Sequence, residues 1–284
     1  MATESFQGFD FNVRTLGPLE AKLVLSMEER RLSAVDTSTA AEIIGDRRQA
    51  MDTLARLHRK GWLERVGRGR YVLHSSNTGH LDVRVMSPLK FASAVLSESY
   101  VGWWAAAEHH GLTWQHPTLI RVASRKQQRA IEHEGYRIEF VSLADAKFFG
   151  FAHDSLTGIT VSSIEKTVVD CVDKPRYAGG YAEVGIILGN ALEKIALGKL
   201  VDCAIQNSSV STVQRLGFFL DTVRPNLFDA VSRSRLLGAI GETSRGKMGT
   251  PEYRDGDFGY LKDWKLQVNL NRNSFLSEVD RFGE

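Results

Sequence analysis

The sequence predicts an α+β fold in two parts: three short helices closed by a β-hairpin, then a larger mixed domain. Three observations predict it. Apolar residues recur at helical spacing between residues 18 and 60. Two β-prone runs joined by Gly67-Arg68-Gly69 follow directly. Beyond residue 80, alternating runs such as Tyr136, Ile138 and Phe140 are interspersed with helical stretches massed toward the C-terminal half. At 284 residues, 43% hydrophobic and 25% charged, the chain has the length and the apolar content for two packed domains.

In the first part, residues 18–31 set Leu19, Leu23, Val24 and Met27 on one helical face. In "SAVDTSTAAEIIG", Thr39 with Glu42 has capping-box spacing, Ile43 and Ile44 give a short apolar face, and Gly45 ends the helix. Asp46 then caps a third helix whose apolar side is Ala50, Met51, Leu54 and Leu57, and Gly61 stops it. At 100° per residue the other side carries Arg48, Gln49, Asp52, Arg56, Arg59 and Lys60. Arg47 falls nearer the apolar side but projects past the helix end from the first turn. The runs "WLERV" and "RYVL" make the hairpin, with the two glycines suited to positive φ in its turn. Helix, short helix, helix and hairpin is the order of a winged helix-turn-helix. It is expected to span residues 1–79, with the polar, glycine-containing "HSSNTGH" (74–80) as the joint to a second domain at 80–284.

Charge gives this first part a function. Between Asp46 and Arg70 stand eight Lys or Arg against three acids, a net +5 in a chain whose formal charge is +2. A recognition helix presents its N-terminal residues to base edges in the major groove of double-stranded DNA, where Arg47, Arg48, Gln49, Arg56, Arg59 and Lys60 are the candidate contacts. Arg65, Arg68 and Arg70 of the wing suit phosphates, through which affinity comes by counterion release. The alternative is a solvated face on which Arg48, Asp52 and Arg56 pair with one another at i, i+4 spacing.

In the second part, "VRVM" (83–86) reads as a strand and 89–98 as a helix, followed by a helix at 102–111 ended by Gly111. "TLIRVAS" and "YRIEFVSL" read as strands, and "ITVSS" as a strand feeding a helix over Ile164–Val172. Helices are expected at 181–197, 199–206, 211–222 and 227–240, and a last strand at "WKLQVNL". "RKQQR" offers Arg125, Lys126 and Arg129 either as a solvated loop or as auxiliary phosphate contacts.

The signals of chemistry are missing. No phosphate-loop, hydrolase-elbow or zincin motif occurs, so no catalytic residue and no cofactor is expected. His109 and His110 point about 100° apart on a helix and make poor co-ligands, with His116 beyond it, so no metal is expected. "DGDFG" (255–259) reads as a glycine-acid turn, and Asp170 with Asp173 as solvated or ion-paired acids. Cys171 and Cys203 lack C-x-x-C spacing and read as buried, reduced thiols. No 18-residue apolar run and no secretory start is present, so a cytoplasmic protein without membrane contact is expected.

Two stretches resemble one family. "LARLHRKGWLERVGRGRYVL" is similar to the winged helix of AbiEi-family antitoxins, also described as transcriptional regulators of viral defence. "YVGWWAAAEHHGLTWQ", "ITVSSIEKTVVDCVDKPRYAGGYAEV" and "WKLQVN" follow in the order of the AbiEi C-terminal antitoxin domain. The resemblance, which runs from about residue 15 to 270, implies a non-enzymatic DNA-binding autorepressor acting at inverted repeats in its own promoter. It also implies the antitoxin of a type IV toxin–antitoxin (abortive infection) pair, opposing a nucleotidyltransferase-like toxin without a stable complex. It marks Glu165, Lys166 and Asp170 without giving them a chemical role, and salt bridges at a helix start explain them equally well. Two other readings compete: a stand-alone winged-helix regulator with a ligand-sensing C-terminal domain, and a C-terminal enzyme targeted by the winged helix.

Overall fold

The structure, a computed structural model, describes residues 15–74 and 87–282. The chain divides into two compact units, Met1–Ser97 with Ser155–Ile159, and Glu98–Asp154 with Thr160–Glu284. The expected joint past His74 and the expected strand at 83–86 lie outside the described residues.

The first unit opens with α1 (Pro18–Glu29), where Pro18 occupies the first helical turn and Glu20 reaches back to accept from the Gly17 amide at 2.7 Å. A three-residue strand, β1 (Ala34–Asp36), comes next and leads straight into α2 (Thr37–Ile44). The cap of α2 is Asp36, whose carboxylate accepts from Thr39 N at 2.8 Å. Thr39 is therefore inside the helix, and the Thr39–Glu42 capping box expected from spacing does not form, because an acid three residues earlier already satisfies the exposed amide. Gly45 closes α2 in the left-handed conformation (φ 95°) and Asp46 caps α3 (Arg47–Arg59), accepting from Gln49 N at 2.7 Å.

The hairpin is β2 (Leu63–Gly67) and β3 (Arg70–Leu73), and β1 adds to it antiparallel in the order β1-β3-β2. Only Gly69 of the turn takes a positive φ, 68°; Gly67 stays in the strand opposite Arg70, with the register shifting between Arg65 and Gly67. The Gly69 carbonyl accepts from Thr37 N (3.0 Å) and Thr37 Oγ1 (3.3 Å), which ties the wing tip to the start of α2. Leu23, Met27, Val35, Ala40, Ile43, Ala50, Leu54, Leu57, Trp62 and Leu63 make the core, and α4 (Pro88–Ala94) belongs to the same unit. The helix expected over 89–98 stops at Ala94, and a strand follows it.

The second unit holds β4 (Ser99–Val101), α5 (Trp103–His109), β5 (Leu119–Ser124), β6 (Ile131–His133), β7 (Tyr136–Ser142), β8 (Phe151–Asp154) and β9 (Ile159–Ser162), arranged as a mixed six-stranded sheet in the order β6-β7-β5-β4-β9-β8. Helices α6 (Ile164–Asp173), α7 (Tyr181–Ala191), α8 (Leu197–Gln206), α9 (Val210–Val223) and α10 (Ala230–Gly238) follow. The unit ends in the sheet β10 (Gly246–Gly249), β11 (Asp257–Leu261) and β12 (Leu266–Asn271), then α11 (Arg272–Phe282). The expected 181–197 helix is shorter, and "DGDFG" is a turn only at Asp255-Gly256, since Asp257 onward pairs with β12.

At the centre of this unit α6 carries a fully buried lysine. Lys166 pairs with Asp170 one turn on, lies 5.0 Å from the Phe149 ring centre, and shares Asp170 with the Tyr100 hydroxyl, which donates at 3.2 Å. Asp173 is held by Lys147 Nζ (2.8 Å) and Thr212 Oγ1 (2.7 Å), so both acids of the "VVDCVD" stretch are ion-paired. Removing the lysine alone strands a buried carboxylate. Lys166→Ala is expected to cost about 3–5 kcal/mol, while Lys166→Met together with Asp170→Leu recovers most of it. Urea denaturation of the full chain measures both.

Candidate nucleic-acid interface

The candidate surface rests on how α3 divides its cations. Its inner side is apolar: Ala50, Leu54 and Leu57 are buried, joined by Thr53. Met51, expected among them, is instead 54% exposed. At 100° per residue Met51 lies about 120° from Leu57 at the centre of the buried side, far enough round for water to reach it. The outward face runs through Arg48, Met51, Asp52, Ala55 and Arg59, all exposed, with Arg47 and Gln49 exposed in the first turn.

Three of the expected contacts are used inside the unit. Arg56 Nε reaches Glu20 Oε1 at 3.2 Å and Lys60 Nζ reaches Glu20 Oε2 at 2.5 Å, while the Glu20 side chain itself is only 4% exposed. Arg56 also donates to Thr53 Oγ1 at 3.0 Å. Burial pushes the Glu20 carboxyl upward, but the Gly17 amide and the two cations outweigh it and hold the group below its usual range. Arg70 donates from Nε to the Ala94 carbonyl, and burial lowers its guanidinium pKa against the pull of Asp36. No ion pair joins Arg48 to Asp52, or Asp52 to Arg56, among the described residues, so the mutually paired face does not form.

The remaining cations face outward. Arg47, Arg48, Arg59 and Arg68 are exposed and form no ion pair among the described residues; Arg65 is exposed and donates to the Gly67 carbonyl at 3.2 Å. The three N-terminal residues of α3 stand where the helix dipole favours an anion. In the second unit, Arg125 is held by Asp145 and lies 4.8 Å over the Phe148 ring, whereas Lys126 and Arg129 are exposed.

The histidines do not gather. His110 Nε2 lies 2.6 Å from the Ser162 carbonyl and His116 Nδ1 2.6 Å from Glu108 Oε1, and among the described residues no three His, Cys, Asp or Glu side chains are placed to hold a metal. Cys171 and Cys203 are buried free thiols, and burial pushes Cys203 up to about 12. No helix among the described residues is long and apolar enough to cross a membrane.

Residues 24–74, from α1 through the hairpin, match the family model described as transcriptional regulator, AbiEi antitoxin, and residues 100–222 match that of the AbiEi antitoxin C-terminal domain. This chain belongs to the AbiEi antitoxin family. The crystal structure of the RV2827C protein from Mycobacterium tuberculosis superposes with a TM-score of 0.53 at 15% identity, covering 95% of this chain and 97% of that one, a likeness of fold alone. No curated protein matches the chain. The AbiEi regulator region thus contains α3 and the wing, and the antitoxin region contains the buried Lys166–Asp170 pair.

The Glu20 pairing makes the regulator unit sensitive to acid. Its folded pKa is lowered, so its contribution is full above the ordinary glutamate range and disappears as pH falls through the folded value. Glu20→Gln is expected to cost about 1–3 kcal/mol near neutral pH, with the gap to wild type closing in acid. Urea denaturation of the full chain across pH, read beside wild type, checks the closing of that gap.

Proposed function

We propose that this AbiEi-family protein is a DNA-binding autorepressor and the antitoxin of a type IV toxin–antitoxin pair, acting without catalysis of its own. The observation that carries the reading is the division of cations in the regulator region. Glu20 absorbs Arg56 and Lys60, and the Ala94 carbonyl takes Arg70, while Arg47, Arg48, Arg59 and Arg68 stand exposed on the recognition helix and the wing.

In this reading the N-terminal half of α3 enters the major groove of promoter DNA. Arg48 and Gln49 bond bidentately to guanine and adenine edges, and each such pair discriminates by about 1–3 kcal/mol. Arg47 and Arg59 flank them, and Arg65 and Arg68 bring the wing to neighbouring phosphates. Arg56, Lys60 and Arg70 act indirectly, by fixing α3 and the wing on their scaffold. Two copies of the unit would read the two halves of an inverted repeat. Lys126 and Arg129 remain candidates for auxiliary phosphate contacts, with Arg125 already committed to Asp145.

The antitoxin activity, directed against a nucleotidyltransferase-like toxin without a stable complex, is assigned to the region that matches the antitoxin domain. Support for two separable activities comes from the two separate family matches, one on each compact unit. A chain carrying Arg48→Ala, Arg59→Ala and Arg68→Ala changes exposed side chains only, and substitutions of this kind usually cost little stability. Expressed from an unrelated promoter beside the toxin, it is expected to rescue growth while failing to repress a reporter driven by its own promoter. A variant that is folded by circular dichroism but no longer rescues would show that neutralisation runs through DNA binding.

A further inference from the structure

The outward face of α3 is not uniformly polar. Met51 is 54% exposed and Ala55, one turn later, is exposed as well. Arg47 and Arg48 precede Met51 by four and three residues, so on a helix they are its immediate neighbours. The outcome is a small apolar spot framed by unpaired guanidinium groups, at the end of the helix where base edges are read. Neither apolar residue belongs to the core of the unit, to which α3 contributes Ala50, Leu54 and Leu57.

We propose that Met51 and Ala55 form an apolar seat for the C5 methyl group of a thymine in the major groove, next to the base pair that Arg48 reads. The proposal rests on the DNA-reading role given above and adds the base that the apolar pair selects. The thymine methyl is the only apolar group that natural base pairs display in that groove, and apolar side chains are its usual contact. Methionine suits the task because its unbranched, polarisable chain adapts to an irregular surface. The framing arginines supply the charge complementarity that brings a phosphate-lined groove to this spot. Positions 48 and 51 are about 4.5 Å apart along the helix axis. One base-pair step is about 3.4 Å, so the thymine falls roughly one step from the Arg48 base.

The test uses thymine's demethylated twin. A duplex is first selected by the full-length protein from a randomised pool. Each dT of its half-site is then replaced in turn by dU, which pairs identically but lacks the methyl. One replacement is expected to weaken wild-type binding by about fourfold, the value of one buried carbon at about 0.8 kcal/mol. Met51→Ala should weaken binding to the dT duplex similarly and lose its sensitivity to that one dU. Because Met51 is exposed, the variant is expected to keep the wild-type circular dichroism spectrum. A selected duplex on which no dU matters, or a folded Met51→Ala protein that still senses the same dU, would overturn this inference alone. Failure of the protein to select any duplex would overturn the DNA-reading role, and this inference with it.

Discussion

One carboxylate, that of Glu20, organises the regulator unit. It caps its own helix through the Gly17 amide and binds Arg56 and Lys60 of α3 with its two oxygens. A nearly buried carboxylate needs such partners, because an unpaired one would leave water at a large cost. The arrangement ties α1 to α3 across the core formed by Leu23, Met27, Leu54 and Leu57. It also sets one negative charge against two cations whose side chains stay 40% and 36% exposed. What remains outward is a narrower set of arginines at the start and along the outer face of α3, and in the wing. The wing is positioned separately, by Thr37 holding the Gly69 carbonyl and by Arg70 anchored to Ala94. The net +5 between Asp46 and Arg70 thus has two explanations: part of the excess is structural and part is available to a polyanion.

The antitoxin unit uses the same device more deeply. Lys166 is fully buried against Asp170, with Tyr100 donating to the same acid and aromatic rings around the ammonium. The segment "IEKTVVD" that carries the family likeness is therefore a helix whose polar members hold together α6 and the start of the six-stranded sheet. Glu165, half-buried beside them, is not part of the pair. Asp173 extends the pattern by linking Lys147 to the start of α9.

Local signals in the sequence were enough to place most elements, because their causes are local. Asp46 and Gly61 bracket α3, Gly111 follows α5, and the alternation of Ile138 and Phe140 marks β7; each lies where the spacing placed it. Strands of three residues carry no period, so β1 and β4 show only in their pairing, β1 with β3 and β4 with β5 and β9. The Asp36 cap was hidden by a better-looking Thr39–Glu42 spacing. The helix wheel sets the cations of α3 and its cap Lys60 in one group but cannot divide them, because the divider, Glu20, stands 36 and 40 residues away in sequence. Helical spacing groups Met51 with Ala50, Leu54 and Leu57, whereas its angle on the wheel, about 120° from Leu57, leaves it open to water. The strand order β6-β7-β5-β4-β9-β8 has no local signature at all.

The central claim is that only the unpaired cations of the regulator unit meet DNA, and the salt dependence of binding tests it most directly. Each phosphate contact adds about 0.9 to the slope of log affinity against log salt. Arg68→Ala is expected to lower the slope by about that amount, while Lys60→Met, which removes a cation held at 2.5 Å by Glu20, is expected to leave it unchanged. A Lys60 variant that lowers the slope as much as the Arg68 variant would contradict the division of charge on which the account rests.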